Sequence, residues 1–152
     1  AWLREAAAQR CTGSLYRNEP SLLLQGRISC GGGGGAAAQP RTRITKGDCP
    51  RGAKLDPKRK CFAHDPQCGC HGPIMTQGMV AWAGGGTGPD FFIYTGAGPN
   101  TWWAHDHTVF AEVHDEDWPA VEALAALPTD ASSGMKMLRR ECEVTLRMVH
   151  GA

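Results

Sequence analysis

A chain of 152 residues with 41% hydrophobic and 20% charged side chains has the size and composition of one globular domain with a buried core. Its formal net charge of +1, with Lys and Arg scattered, gives no electrostatic footprint for nucleic acid or an anionic membrane. No apolar run approaches the roughly 20 residues of a membrane-spanning helix.

The chain opens on Ala1-Trp2-Leu3-Arg4-Glu5 with neither a Met nor a signal-peptide pattern, as a mature terminus, a cleaved precursor or a partial sequence would. Residues 1–10 read as a short Ala-rich helix, with Trp2, Leu3, Ala6 and Ala7 at helical spacing. Leu22-Leu23-Leu24 reads as a buried strand ending at Gln25-Gly26.

From about residue 27 to 79 the chain is irregular. Gly31–Gly35 and three alanines are low-complexity, and a basic, Pro-punctuated stretch from Arg41 to Lys60 follows. That stretch reads as a solvated loop or contact surface. Met79–Ala83 and Phe91–Thr95 are strands joined by a Gly-rich turn. On the second, Asp90, Phe92 and Tyr94 share one face, and Phe91 and Ile93 the other. Thr108–Val113 is a further strand. Trp118-Pro119 begins a helix with an apolar stripe of Val121, Leu124 and Ala125, which Pro128 stops. Cys142, Val144, Leu146 and Met148 alternate with polar residues as one face of a half-buried strand.

Seven cysteines, four of them between Cys49 and Cys70, favour disulfides in an oxidising compartment, either the secretory lumen or outside the cell. The odd count leaves one thiol free or bonded to another chain. Cys61…Cys68-Gly69-Cys70-His71, near His64, lacks the usual two-to-four-residue spacing of paired zinc ligands, so disulfides are favoured there over metal. Cys11 and Cys142, near opposite ends, read as simple buried thiols.

Three stretches, in order, resemble the cyclophilin family of peptidyl-prolyl isomerases. Leu15-Tyr16-Arg17-Asn18-Glu19-Pro20-Ser21-Leu22-Leu23-Leu24-Gln25-Gly26 is similar to its Phe-His-Arg-x-x-Pro-Gly-Phe-Met-x-Gln-Gly segment. Gly88–Thr95 is similar to Gly-Ser-Gln-Phe-Phe-Ile-x-Thr, and Trp102–Phe110 to Trp-Leu-Asp-Gly-Lys-His-Val-Val-Phe. The resemblance implies a mainly β fold: a closed antiparallel barrel with two flanking helices, forming a single domain over 1–152. The long insertion lies at about 27–79. The family's opening hairpin has no counterpart here, so either another chain of a larger assembly supplies those strands or the sequence is partial.

The same resemblance makes Arg17 the catalytic cation and Gln25 its orienting partner. Leu22, Leu23, Phe92 and His107 would line a proline pocket, with Trp102 at its rim, Trp103 in place of a Leu that helps close it, and Ala81, Trp82 and Asp90 as further substrate-binding residues. Strand alternation independently puts Leu23 with Gln25 and Asp90 with Phe92. Isomerisation needs no nucleophile, metal or cofactor, only a proline-containing peptide or protein segment as substrate. Leu22, Trp82, Trp103 and Asp90 replace the family's Phe, Asn, Leu and Gln. On this reading the Trp82 indole narrows the groove, and Asp90 forms a bidentate pair with Arg17 that slows catalysis. The competing reading is a catalytically weak module that binds a partner within a larger assembly. Taken singly, Arg17 is a surface ion-pairing residue, His107 a structural histidine, and the tryptophans and phenylalanines hydrophobic anchors.

Overall fold

The structure, a computed structural model, describes residues 2–30, 74–83, 89–103, 107, 109–132 and 134–148. Helix α1 (Trp2–Ala8) is two residues shorter at its C-terminal end than its composition suggests, and it buries Ala6 and Ala7. It closes with Arg10 N–H donating to the Ala7 carbonyl and Cys11 N–H to that of Ala6. Arg10 takes φ 50°, the left-handed helix cap that glycine usually fills.

Strands β1 (Thr12–Glu19) and β2 (Leu23–Ser29) form an antiparallel hairpin. Its turn has Pro20 followed by Ser21 at φ 57°, and Leu22 N–H donates to the Glu19 carbonyl at 3.0 Å. β2 does not stop at Gly26. Leu24, Gly26 and Ile28 are buried while Arg27 and Ser29 are exposed, so the alternation carries the strand three residues further. Gly26 is required where the strands meet, because a Cβ there would run into the Ser14 carbonyl oxygen and the Leu15 side chain.

The remaining strands are β3 (Met79–Trp82), β4 (Asp90–Tyr94), β5 (Val109–Glu112), β6 (Thr129–Ser132) and β7 (Met135–Thr145). A 3₁₀ turn (Asp115–Asp117) leads into helix α2 (Trp118–Ala125), which buries Val121. All seven strands form one antiparallel sheet in the order β5-β3-β4-β2-β1-β7-β6. The fold is therefore mainly β. Among the described residues β5 and β6 are the sheet's edges, and the ladder between them is open. No helix there is long and apolar enough to cross a membrane.

The β6–β7 hairpin has no signature in the sequence. β6 is polar, and in the first half of β7 only Leu138 is buried, so no period-two pattern marks β6 or that half of β7. Gly134, at φ 78°, makes the turn. Beyond β7, Met148 is 47% exposed and leaves the buried face that the alternation assigned to it.

Two apolar layers lie on opposite sides of the sheet. One joins Ala6, Cys11, Leu15, Leu24, Ile28, Val80, Trp82, Phe91 and Leu138, with Leu124 of α2 packed on it. The other joins Leu23, Met75, Ala81, Phe92 and Tyr94. Asn18, buried in β1, ties the sheet to α2 by donating to the Ala125 carbonyl at 2.6 Å.

Cys11 is not a simple thiol. It is bonded to Cys30, one step beyond the Thr12↔Ser29 pair, whereas Cys142 is free and half-buried. The four cysteines from Cys49 to Cys70, the basic stretch and the candidate zinc ligands lie outside the described residues. Closing a loop with a sequence separation of 19 restricts the unfolded chain, so removing the bridge costs roughly 3 kcal/mol. Urea unfolding of Cys11→Ala/Cys30→Ala against the parent measures this; an unchanged midpoint would mean that the bridge does not form in solution.

Candidate functional site

The site is built on the face of β1, β2 and β4 that carries the smaller apolar layer. In register, Arg17 lies opposite Gln25, Gln25 opposite Phe92, and Arg27 opposite Asp90. Opposed residues share a face. Leu15 points to the other side, and a plain strand would give Tyr16 and Arg17 opposite directions as well. A bulge between Leu15 and Arg17 changes that, since β1 advances two residues while β2 advances one. The Tyr16 hydroxyl and the Arg17 guanidinium therefore both reach Gln25.

A hollow of roughly 520 Å³ opens on this face. Arg17, Leu22, Leu23, Gln25, Ala83, Asp90, Phe92, Trp102, Trp103 and His107 line it. Phe92 forms the floor, with Trp103 and His107 edge-on to it at centroid distances of 5.3 and 5.0 Å. Ala81 is fully buried beneath, packed with Phe92 and Leu23. Trp102 stands at the rim, 69% exposed.

Trp82 is elsewhere. Its side chain belongs to the opposite layer, 2% exposed and stacked on Phe110 at 4.0 Å, so it does not narrow the groove. Alternation along β3 explains this: Ala81 faces the hollow, so its neighbour cannot.

Nor does Asp90 pair with Arg17. It accepts from Arg27 through both oxygens, Nε to Oδ1 at 2.8 Å and Nη2 to Oδ2 at 3.1 Å, and from the Tyr16 hydroxyl at 3.0 Å. Arg17 instead donates from Nε to Glu19 Oε1 and from Nη1 to Gln25 Oε1, both at 3.0 Å. A guanidinium has five N–H groups. Three of Arg17's have no acceptor among the hydrogen bonds of the described residues.

The aromatic rim has its own supports. Buried Asn100 bridges to Met75, its backbone N–H donating to the Met75 carbonyl at 2.8 Å, and its Oδ1 accepts from Trp103 N–H at 3.0 Å. The Tyr94 hydroxyl holds the Gly98 carbonyl at 2.7 Å, and Gly96 lacks the Cβ that would strike the Tyr94 ring. Tyr16, Glu19, Arg27, Ala83, Tyr94 and Asn100 were not among the residues the sequence singled out for the site. Tyr94 carried a usable signal, since it follows Phe92 by two positions along a strand.

Hydrogen bonds from Arg27, then from Tyr16, hold the Asp90 carboxyl below its ordinary pKa against partial burial. The Lys136 backbone N–H, then Arg17, does the same for Glu19. Burial, then the neighbouring Asp90, raises Tyr16, which keeps its hydroxyl protonated. A carboxyl whose folded pKa is depressed adds stability above its unfolded pKa and loses it as pH falls through the folded value. The urea midpoint should accordingly drop below about pH 4, and drop less in Glu19→Gln and Asp90→Asn. Equal acid sensitivity in parent and variants would show that these two carboxyls do not carry the effect.

The arrangement sets one oriented cation beside an aromatic and aliphatic hollow on a rigid sheet. No family model matches the chain, and no curated protein matches it.

Proposed function

We propose that the hollow binds a proline-containing segment and that the chain is a cyclophilin-type peptidyl-prolyl isomerase, its sheet closing as a barrel of that family. One observation carries the reading. Arg17 is clamped by Gln25 and Glu19 beside a hollow floored by Phe92, with three N–H groups that no acceptor among the described residues takes.

Rotation about an X-Pro bond meets a barrier of roughly 18–20 kcal/mol, because the nitrogen lone pair is delocalised into the carbonyl. As the bond twists, the nitrogen pyramidalises and recovers its lone pair. A donor fixed beside the nitrogen stabilises that state and not the planar one, which is the condition for catalysis. Leu22, Leu23, Phe92 and His107 take the proline ring, while Arg17 supplies the donor. The Cys11–Cys30 bridge suits an oxidising compartment, where such an activity would act on secreted clients.

Exchange NMR on a peptide with one X-Pro bond tests the proposal. Cis–trans exchange should quicken with added chain and lose that gain in Arg17→Ala. Exchange unaffected by the parent, or quickened equally by Arg17→Ala, overturns it.

A binding module without catalysis is favoured by a single feature. The Trp103 indole lies edge-on to Phe92, Tyr94 and His107, a bulkier side chain on the lining of the hollow than the leucine of the cyclophilin resemblance. Saturable peptide binding with unaltered exchange identifies that case.

A further inference from the structure

We propose that Tyr16 and Asp90 are positioning residues that fix the direction of a hydrogen-bond chain, so that Gln25 presents its carbonyl oxygen and never its amide to Arg17. The inference rests on the isomerase reading of the hollow and goes beyond it, since neither Tyr16 nor an acidic residue at position 90 is needed for a proline pocket as such.

The chain runs Asp90–Tyr16–Gln25–Arg17. The Tyr16 hydroxyl donates to Asp90 Oδ1 at 3.0 Å, and Gln25 Nε2 donates to the Tyr16 oxygen at 2.8 Å. Arg17 Nη1 donates to Gln25 Oε1 at 3.0 Å. A glutamine amide can turn over and exchange its donor for its acceptor at almost no intrinsic cost, so its direction must come from its neighbours. Both ends of this chain are unambiguous. An ionised carboxylate only accepts, and a guanidinium only donates.

With Asp90 accepting, the single Tyr16 proton is committed to it. The Tyr16 oxygen is then left to accept from Gln25, which must turn Nε2 toward it and Oε1 toward Arg17. Reversal would set the Gln25 NH₂ against the Arg17 donors. Arg27 completes the device: its two bonds to Asp90 keep that carboxyl ionised and aimed. The bulge in β1 is what brings Tyr16 to this face at all.

Position 90 therefore needs an acceptor-only side chain. An amide there could donate to the Tyr16 oxygen and turn the Tyr16 proton toward Gln25, which would then have to set its NH₂ against either that proton or the Arg17 donors. The acidic residue that looks hostile to the catalytic arginine is the one that fixes its partner.

The experiment combines Tyr16→Phe, Asp90→Asn and Gln25→Glu. Tyr16→Phe keeps the ring, removes the hydroxyl, and should lower kcat for an X-Pro peptide about three- to tenfold with KM little changed. Asp90→Asn should do the same. In a Gln25→Glu background, where both terminal atoms are oxygens and reversal has no meaning, Tyr16→Phe should change kcat by less than about twofold. An equal loss in both backgrounds, or no loss with Gln25 present, overturns the inference.

The ¹⁵N-edited side-chain amide resonances of Gln25 supply a readout independent of activity. They should move and broaden in Tyr16→Phe and in Asp90→Asn, and unmoved resonances overturn the proposal. If the parent proves inactive while these resonances respond as expected, the isomerase reading fails and the directed chain stands.

Discussion

On the proposed isomerase reading, replacing Arg17 with alanine should lower kcat/KM for an X-Pro peptide about a hundredfold while leaving the fold intact. A hydrogen bond from a charged donor contributes about 1.5–3 kcal/mol, and each 1.36 kcal/mol is tenfold in rate. The variant loses that bond in the twisted state, whereas the planar ground state keeps the Leu22, Leu23 and Phe92 walls. The loss should therefore fall on kcat more than on KM. Stability should change by under about 1 kcal/mol, because the Arg17–Glu19 pair is partly solvated and Glu19 retains the Lys136 backbone N–H. Arg17→Lys should stay at least tenfold below the parent. An ammonium is a single point of charge on a flexible stem and cannot hold Gln25 and Glu19 while also addressing the substrate. Steady-state rates with a urea midpoint for each variant decide it. Full activity in Arg17→Lys would show that charge alone suffices and that the clamp is dispensable.

The parts of the site legible in the sequence are those that follow from strand alternation. Phe92 falls on the same face as Asp90 and Tyr94, with Phe91 and Ile93 behind, because side chains alternate with a period of two whatever the strands pair with. Leu23 and Gln25 follow the same rule. What was not legible needed register. The apolar run of Leu22–Leu24 marks only the start of β2, so Arg27 reads as a residue past its end. Once the strand is seen to reach Ser29, Arg27 faces Asp90 across the ladder and takes the carboxylate that proximity alone would give to Arg17.

Tyr16 depends on a bulge, and no composition announces one. The Cys11–Cys30 bridge likewise depends on the Thr12↔Ser29 pairing, which a gap of 19 residues does not express. Trp82 is the reverse case. Its position beside Ala81 was enough to assign its face once Ala81 is put on the hollow side, as the Ala81↔Phe92 pair does. The cyclophilin resemblance puts the indole where that family has an asparagine, and the alternation along β3 overrules it.

That correction has a measurable consequence, since truncating Trp82 to alanine should cost about 3–5 kcal/mol and leave the hollow's chemistry alone. The indole is 2% exposed, stacks on Phe110, and joins Leu24, Val80 and Phe91 in the layer behind the sheet. Its removal empties a volume that a twisted sheet pinned by six ladders cannot refill by a small shift, so the cavity penalty adds to the lost burial. A domain of this size has roughly 5–15 kcal/mol in all, so the variant will be marginal. Trp82→Phe, which keeps an aromatic partner for Phe110, is the safer companion and should lose about 1–2 kcal/mol. Urea unfolding gives the stability, and peptide kinetics well below each midpoint give the site. An indole in the groove would make the opposite pattern: Trp82→Phe would alter KM for the X-Pro peptide at nearly unchanged stability. A large fall in the urea midpoint with KM held constant places Trp82 where the sheet puts it, behind the site and supporting it.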